Sequence, residues 1–185
     1  KKKKKICFFL PSFRTGGSEK IFIELGNFLN KENRYDIVFI CVNAKGKLII
    51  LLDEQIELIN LNCKSVSKSI FLLINYLKSK KPDLVISSMT HCNLILLLAK
   101  LISFSKTKII IRECSAINDL YPLKLRKPKR TLIRLIVKIL YKKADFLVSN
   151  SIELAKDISL KFNINKIKVI YNGYDLKKIK KLSLE

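Results

Sequence analysis

The sequence predicts an α/β fold, doubly wound around a mostly parallel sheet. Three observations predict it. Short apolar runs of strand length alternate with longer amphipathic runs along all 185 residues. The short runs are continuously apolar, as expected of strands buried on both faces. No short-period repeat or Gly/Ser-rich linker divides the chain, which holds only 5 glycines, so a single core is expected.

The elements follow in order. "KICFFL" (5–10) reads as a buried strand, and Ile21, Phe22, Leu25, Phe28 and Leu29 mark one face of the helix after it. "DIVFICV" (36–42) and "IELINL" (56–61) are the next strands. A helix from about Ser67 to Lys80 stops before Lys81-Pro82, because proline cannot continue it. "DLVISS" (83–88) is a strand and "NLILLLAKLIS" (93–103) a helix. "KIIIRE" (108–113), "KRTLIRLIVKILYKK" (129–143) and "DFLVSN" (145–150) read as strand, helix and strand. "SIELAKDISLKF" (151–162) is a helix capped by Ser151, and "KIKVIYN" (166–172) a last strand.

Composition narrows the function classes. Hydrophobic residues make up 49% of the chain, so order is expected rather than disorder. The formal net charge of +22 suits polyanions: nucleic acid, anionic headgroups or phosphorylated substrates. A chain rich in Lys, Ile, Leu and Asn throughout also reaches such a charge by compositional drift. The cysteines (Cys7, Cys41, Cys63, Cys92, Cys114) are odd in number and lack C-x-x-C spacing. They form no zinc motif or disulfide framework, which points to a reducing cytoplasm. "KKKKKICFFLPSF" breaks at Pro11, too early for a signal peptide, and "NLILLLAKLISF" is interrupted by Lys100. Helix-turn-helix, zinc-finger and RNP patterns are absent, so no specific nucleic-acid partner is expected, although a basic module for nucleic acid or anionic lipid and glycan is the rival reading.

Ligands in open α/β sheets lie beyond the carboxyl ends of the strands. That rim carries "PSFRTGGS", "SMTHCN", "RECSAIND" and "SNS". Gly16-Gly17-Ser18 either admits an anion to the start of a helix or is a tight turn with Ser18 as its cap. His91, the single histidine, is either a structural polar residue or a group facing a ligand. Ser88, Thr90 and Asn93 could hold a polyol or cap a helix. Arg112-Glu113 could bind phosphate and hydroxyls or form a local salt bridge. Between Leu123 and Lys143 lie 9 basic and no acidic residues, with Arg130, Arg134, Lys138 and Lys142 recurring every fourth position. Leu132, Ile133, Leu135, Ile136, Ile139 and Leu140 supply a broad apolar face, which suits either an interfacial helix or a packed one.

Together "LPSFRTGGSEK", "KPDLVISSMTHCN", "IIIRECS", "ADFLVSNSIELAKDI" and "KIKVIYNGYD" resemble the N-terminal domain of family-4-type glycosyltransferases. The resemblance implies a Rossmann-like half of a GT-B fold, with residues 1–171 as the domain and 172–185 as the start of an interdomain linker. It implies a retaining, metal-independent transferase without a cofactor, moving a sugar from a nucleotide diphosphate donor to a glycan or lipid-linked acceptor. Gly16, Gly17, Ser18 and, as an aid, Arg14 would approach the donor diphosphate. His91 would face the donor sugar as the catalytic candidate. Asn93, Arg112 and Glu113 would line the acceptor pocket, and Asn172-Gly173 would form a hinge. The family's basic residue and E-x7-E pair belong to a C-terminal domain that these residues do not include, so the chain alone is expected not to transfer sugar. Its charge is then expected to serve peripheral contact with anionic lipid on the cytoplasmic side.

Overall fold

The computed structural model describes residues 2–14, 16–115 and 127–173, with the side chains of residues 127–130 excluded. The side chain of Arg130 in the basic stripe and most of the expected linker (174–185) therefore lie outside what the structure describes. Seven strands form one sheet: β1 (Lys4–Leu10), β2 (Tyr35–Cys41), β3 (Glu57–Asn60), β4 (Leu84–Ser88), β5 (Lys108–Glu113), β6 (Phe146–Ser149) and β7 (Ile167–Val169). All neighbours pair in parallel, in the order β3-β2-β1-β4-β5-β6-β7. The helices are α1 (Gly17–Lys31), α2 (Ile70–Lys80), α3 (Thr90–Ser103), α4 (Lys127–Tyr141) and α5 (Ile152–Phe162). Two 3-10 turns, Lys47–Leu51 and Ser67–Ser69, were not expected, and α3 begins at Thr90 rather than Asn93.

Successive side chains in a strand point to opposite faces, and β1 divides the molecule accordingly. Ile6, Phe8 and Leu10 enter the core under α1, whereas Cys7 and Phe9 enter the larger core shared by α2 to α5. The α1 core is aromatic: Phe8 stacks on Phe39 with centroids 5.0 Å apart and meets Phe22 edge-on at 5.3 Å. Gly26 lets α1 descend onto this cluster, since a Cβ there would fall 2.5 Å from Cε2 of Phe39.

Local signals set several ends. Lys81 takes a left-handed φ of 44°, ending α2 ahead of Pro82. Ser151 caps α5 by accepting the Leu154 N–H at 3.1 Å. Ser18 does not cap α1, contrary to the turn reading of its sequence. Gly16 holds that position and no side chain bonds the helix start.

The broad apolar face expected of α4 is divided. Val137, Leu140 and Tyr141 are buried against the larger core, and Ile133 is half-buried. Leu132, Leu135, Ile136 and Ile139 are exposed, beside the exposed Arg134, Lys138 and Lys142.

A methyl group at residue 26 must displace a ring held on two sides by aromatic neighbours. Gly26→Ala should therefore lower stability by about 1–3 kcal/mol. Gly17→Ala should leave it nearly unchanged, because nothing lies within 4 Å of a Cβ there. Urea denaturation of the two variants side by side tests the contrast.

Candidate functional site

The strand order reverses at β1, which leaves a crevice between the carboxyl ends of β1 and β4. The loop through Gly16 enters α1 on one side, and the turn through Met89 enters α3 on the other. Both helices start without a side-chain cap, so backbone N–H groups and the positive ends of two helix dipoles face the same rim. Gly17 is exposed and open, whereas the buried Glu19 carboxylate lies over Gly16. Burial raises the Glu19 pKa.

Met89 has φ 72° and ψ 132°, a conformation costly for any residue with a Cβ. The strained turn brings Thr90 inward and leaves His91 exposed, with no hydrogen bond to its ring among the described residues. Partial desolvation lowers the His91 pKa, so the imidazole is neutral at physiological pH.

Arg112 and Glu113 end β5, and strand alternation sends them to opposite faces. They form no local salt bridge. Arg112, only 8% exposed, turns toward α1. Its Nη1 donates to Ser88 Oγ at 3.3 Å and Ser18 Oγ at 3.5 Å, and its Nη2 donates to Asn172 Oδ1 at 2.7 Å. One guanidinium thus joins the glycine-loop helix, the end of β4 and the segment expected to be a hinge. Cys114 Sγ lies 2.9 Å from Ser18 Oγ at the same junction.

Glu113 enters the larger core and is fully buried. Thr90 Oγ1 donates to its carboxylate at 2.9 Å, Asn93 Nδ2 donates at 2.8 Å, and the Tyr141 hydroxyl donates from α4. Asn93, also fully buried, accepts from Ser87 Oγ at 2.6 Å and donates to the Arg112 carbonyl at 3.1 Å. Asn93 and Glu113 were expected to line an acceptor pocket. Instead both are fully buried in this structure and bonded to each other beneath the rim. Of that trio only Arg112 adjoins the crevice. Tyr141, Met89 and Cys114 were not singled out as site residues from sequence, and Thr90, read there as a polyol holder or a cap, bonds Glu113 instead. The signal for Tyr141 was its place on the apolar spacing of Val137, which turns its hydroxyl inward.

Burial raises the Glu113 pKa, opposed by its three donors and by nearby Arg112. The folded state then holds this proton more tightly than the unfolded chain. Stability from Glu113 is fully present below the ordinary value of 4.5 and is lost as pH rises through the folded pKa. Glu113→Gln keeps an acceptor oxygen for the same donors and cannot ionise. Its unfolding midpoint should fall less than the wild type's between acid and neutral pH, and equal slopes would refute the assignment.

The sequence pattern of Glycosyltransferase Family 4 matches residues 15–178. Among curated proteins, the chain is 26% identical over 195 residues to the N-acetylgalactosamine-N,N'-diacetylbacillosaminyl-diphospho-undecaprenol 4-alpha-N-acetylgalactosaminyltransferase of Campylobacter jejuni. That alignment takes in 98% of this chain and 51% of the relative, so the chain spans about half its length. The lipopolysaccharide outer core galactosyltransferase WaaB in its apo form shares the fold at TM-score 0.66 and 20% identity, over 92% of this chain and 46% of that one. HepE of Anabaena in complex with UDP shares it at TM-score 0.61 and 17% identity, over 97% and 49% of the two chains. The Rossmann-like sheet is thus half of a GT-B architecture, and the chain belongs to glycosyltransferase family 4.

Proposed function

We propose that this chain is the acceptor-side domain of a retaining glycosyltransferase. The enzyme moves a sugar from a nucleotide diphosphate to a hydroxyl of a lipid-linked glycan at the inner face of the cytoplasmic membrane. The observation that carries the reading is Gly17 at the uncapped start of α1 beside the strand-order reversal, with nothing within 4 Å of where a Cβ would sit.

As the bond from the anomeric carbon to the donor phosphate breaks, negative charge grows on the departing diphosphate. Backbone N–H groups at Gly17 and Ser18 act on that charge, and the absent Cβ lets them approach. Arg112 holds Ser18 in place and adds positive potential beneath the loop. His91, neutral and free of internal bonds, faces the donor sugar from the start of α3. The donor's nucleotide belongs to a C-terminal domain reached through Asn172-Gly173, so these 185 residues alone give no turnover. No metal or cofactor takes part.

The acceptor class draws support from the Campylobacter jejuni relative, whose name specifies a diphospho-undecaprenol substrate. The outer surface of α4 supports the membrane location. Leu132, Leu135, Ile136 and Ile139 lie exposed among Arg134, Lys138 and Lys142, a pattern that buries apolar side chains between lipids while cations meet anionic headgroups. No helix among the described residues is long and apolar enough to cross a membrane.

In the full-length enzyme, Gly17→Val should lower the transfer rate about a hundredfold, the scale of a lost donor to a developing oxyanion. Its denaturation curve should stay close to wild type, and unchanged turnover would remove the loop from the site. In vesicle sedimentation, anionic lipid should retain the chain and zwitterionic lipid should not. Arg134→Gln with Lys138→Gln should weaken retention about fivefold for each cation lost. Equal retention by both lipids would refute membrane docking through charge.

A further inference from the structure

We propose that a second hollow on the rim, walled by Arg14, Lys45 and Lys64, binds the diphosphate group of the acceptor. This rests on the reading of the chain as an acceptor-side domain. The hollow encloses about 300 Å³ beyond the carboxyl ends of β1, β2 and β3. Ser12, Asn43 and Ser65 complete its polar wall, and none of its lining residues is acidic.

Three features set it apart from an ordinary basic surface. First, the side chains of Arg14, Lys45 and Lys64 take part in no ion pair or hydrogen bond among the described residues. Three cations therefore face one small space uncompensated, and a bound dianion relieves their mutual repulsion.

Second, the loops that carry the first two cations are cross-bonded. Phe13 N donates to the Lys45 carbonyl at 3.0 Å, Leu48 N to the Phe13 carbonyl at 3.0 Å, and Asn43 N to the Pro11 carbonyl at 3.1 Å. Gly46 closes this frame at φ 134°, where a Cβ would fall 2.0 Å from the Phe13 oxygen. The Lys64 loop is pinned alongside, with Cys63 N donating to the Val42 carbonyl at 2.8 Å. These bonds tie the loops together, so the backbone that carries the cations is pre-organised for a compact anion.

Third, Asn43 Oδ1 is the one buried side-chain oxygen without a hydrogen-bond partner among the described residues. Asn43 is among the residues that line this hollow. Arg14, expected from sequence to aid the donor diphosphate, is thereby grouped with Lys45 and Lys64 on the β3 side of the glycine loop. Two diphosphates are then kept apart, the donor's at Gly17 and the acceptor's here.

Isothermal titration of inorganic pyrophosphate into the 185-residue chain tests the site without any sugar donor. A failed transfer assay therefore leaves the result standing, and the reverse also holds. One pyrophosphate should bind per chain. Arg14→Gln/Lys45→Gln/Lys64→Gln should weaken it about tenfold or more, and these exposed positions should leave the thermal midpoint unchanged. A control of equal charge, Lys78→Gln/Lys106→Gln/Lys108→Gln, alters a hollow of about 630 Å³ at the amino ends of the strands. It should bind pyrophosphate as wild type does. Equal weakening in both triple variants, or undiminished binding in the first, overturns the proposal. Sedimentation with anionic vesicles separates the two sources of phosphate. Unchanged retention of the first variant supports the acceptor diphosphate, and loss of retention overturns that assignment in favour of lipid headgroups.

Discussion

A buried carboxylate organises the working end of this domain. Glu113 has no access to water, and an unsatisfied carboxylate there would cost several kcal/mol. Its oxygens accept from Thr90 at the start of α3, from Asn93 one turn later and from Tyr141 near the end of α4. Satisfying one side chain therefore fixes two helices against the end of β5. It also accounts for the strain at Met89, since that turn delivers Thr90 to the carboxylate.

The neighbouring residue carries this order to the surface. Because strand side chains alternate, the order imposed on Glu113 from the larger core leaves Arg112 facing α1. Its guanidinium has no carboxylate within ion-pair distance among the described residues. It is held by neutral oxygens of Ser18, Ser88 and Asn172 instead. A largely buried cation satisfied this way keeps its positive potential for whatever lies above the glycine loop. The same side chain bonds both Ser18 at the start of α1 and Asn172, so the positions of these two segments share one fastening.

Much of this was legible in the residues, for identifiable reasons. The central strands were found from their apolar runs, because a parallel strand covered on both faces must be apolar throughout, and the edge strand β3 from a shorter, alternating one. Ser151 was read correctly as a cap because capping is a local contact between residues three apart. The alternative reading of Ser18 as a cap failed for the opposite reason: its partners, Cys114 and Arg112, lie more than ninety positions away. Asn93 and Glu113 looked like ligand-binding groups because polar residues at a rim usually are. Only side-chain direction, which depends on strand alternation and helix packing, places them beneath it. On α4, periodicity marked an apolar face correctly but could not say which part of it would be covered.

The sequence by itself determined the order and type of the elements, the rim on which ligands gather and the family, since all of these follow from local patterning and short motifs. Tertiary structure alone decided which rim residues stay exposed, which satisfy one another, and that Arg14, Lys45 and Lys64 meet around one hollow. The physical reason is separation along the chain. Hydrogen bonds and charge clusters here join residues tens of positions apart, and their partners are chosen by the sheet's winding order, which no local pattern encodes.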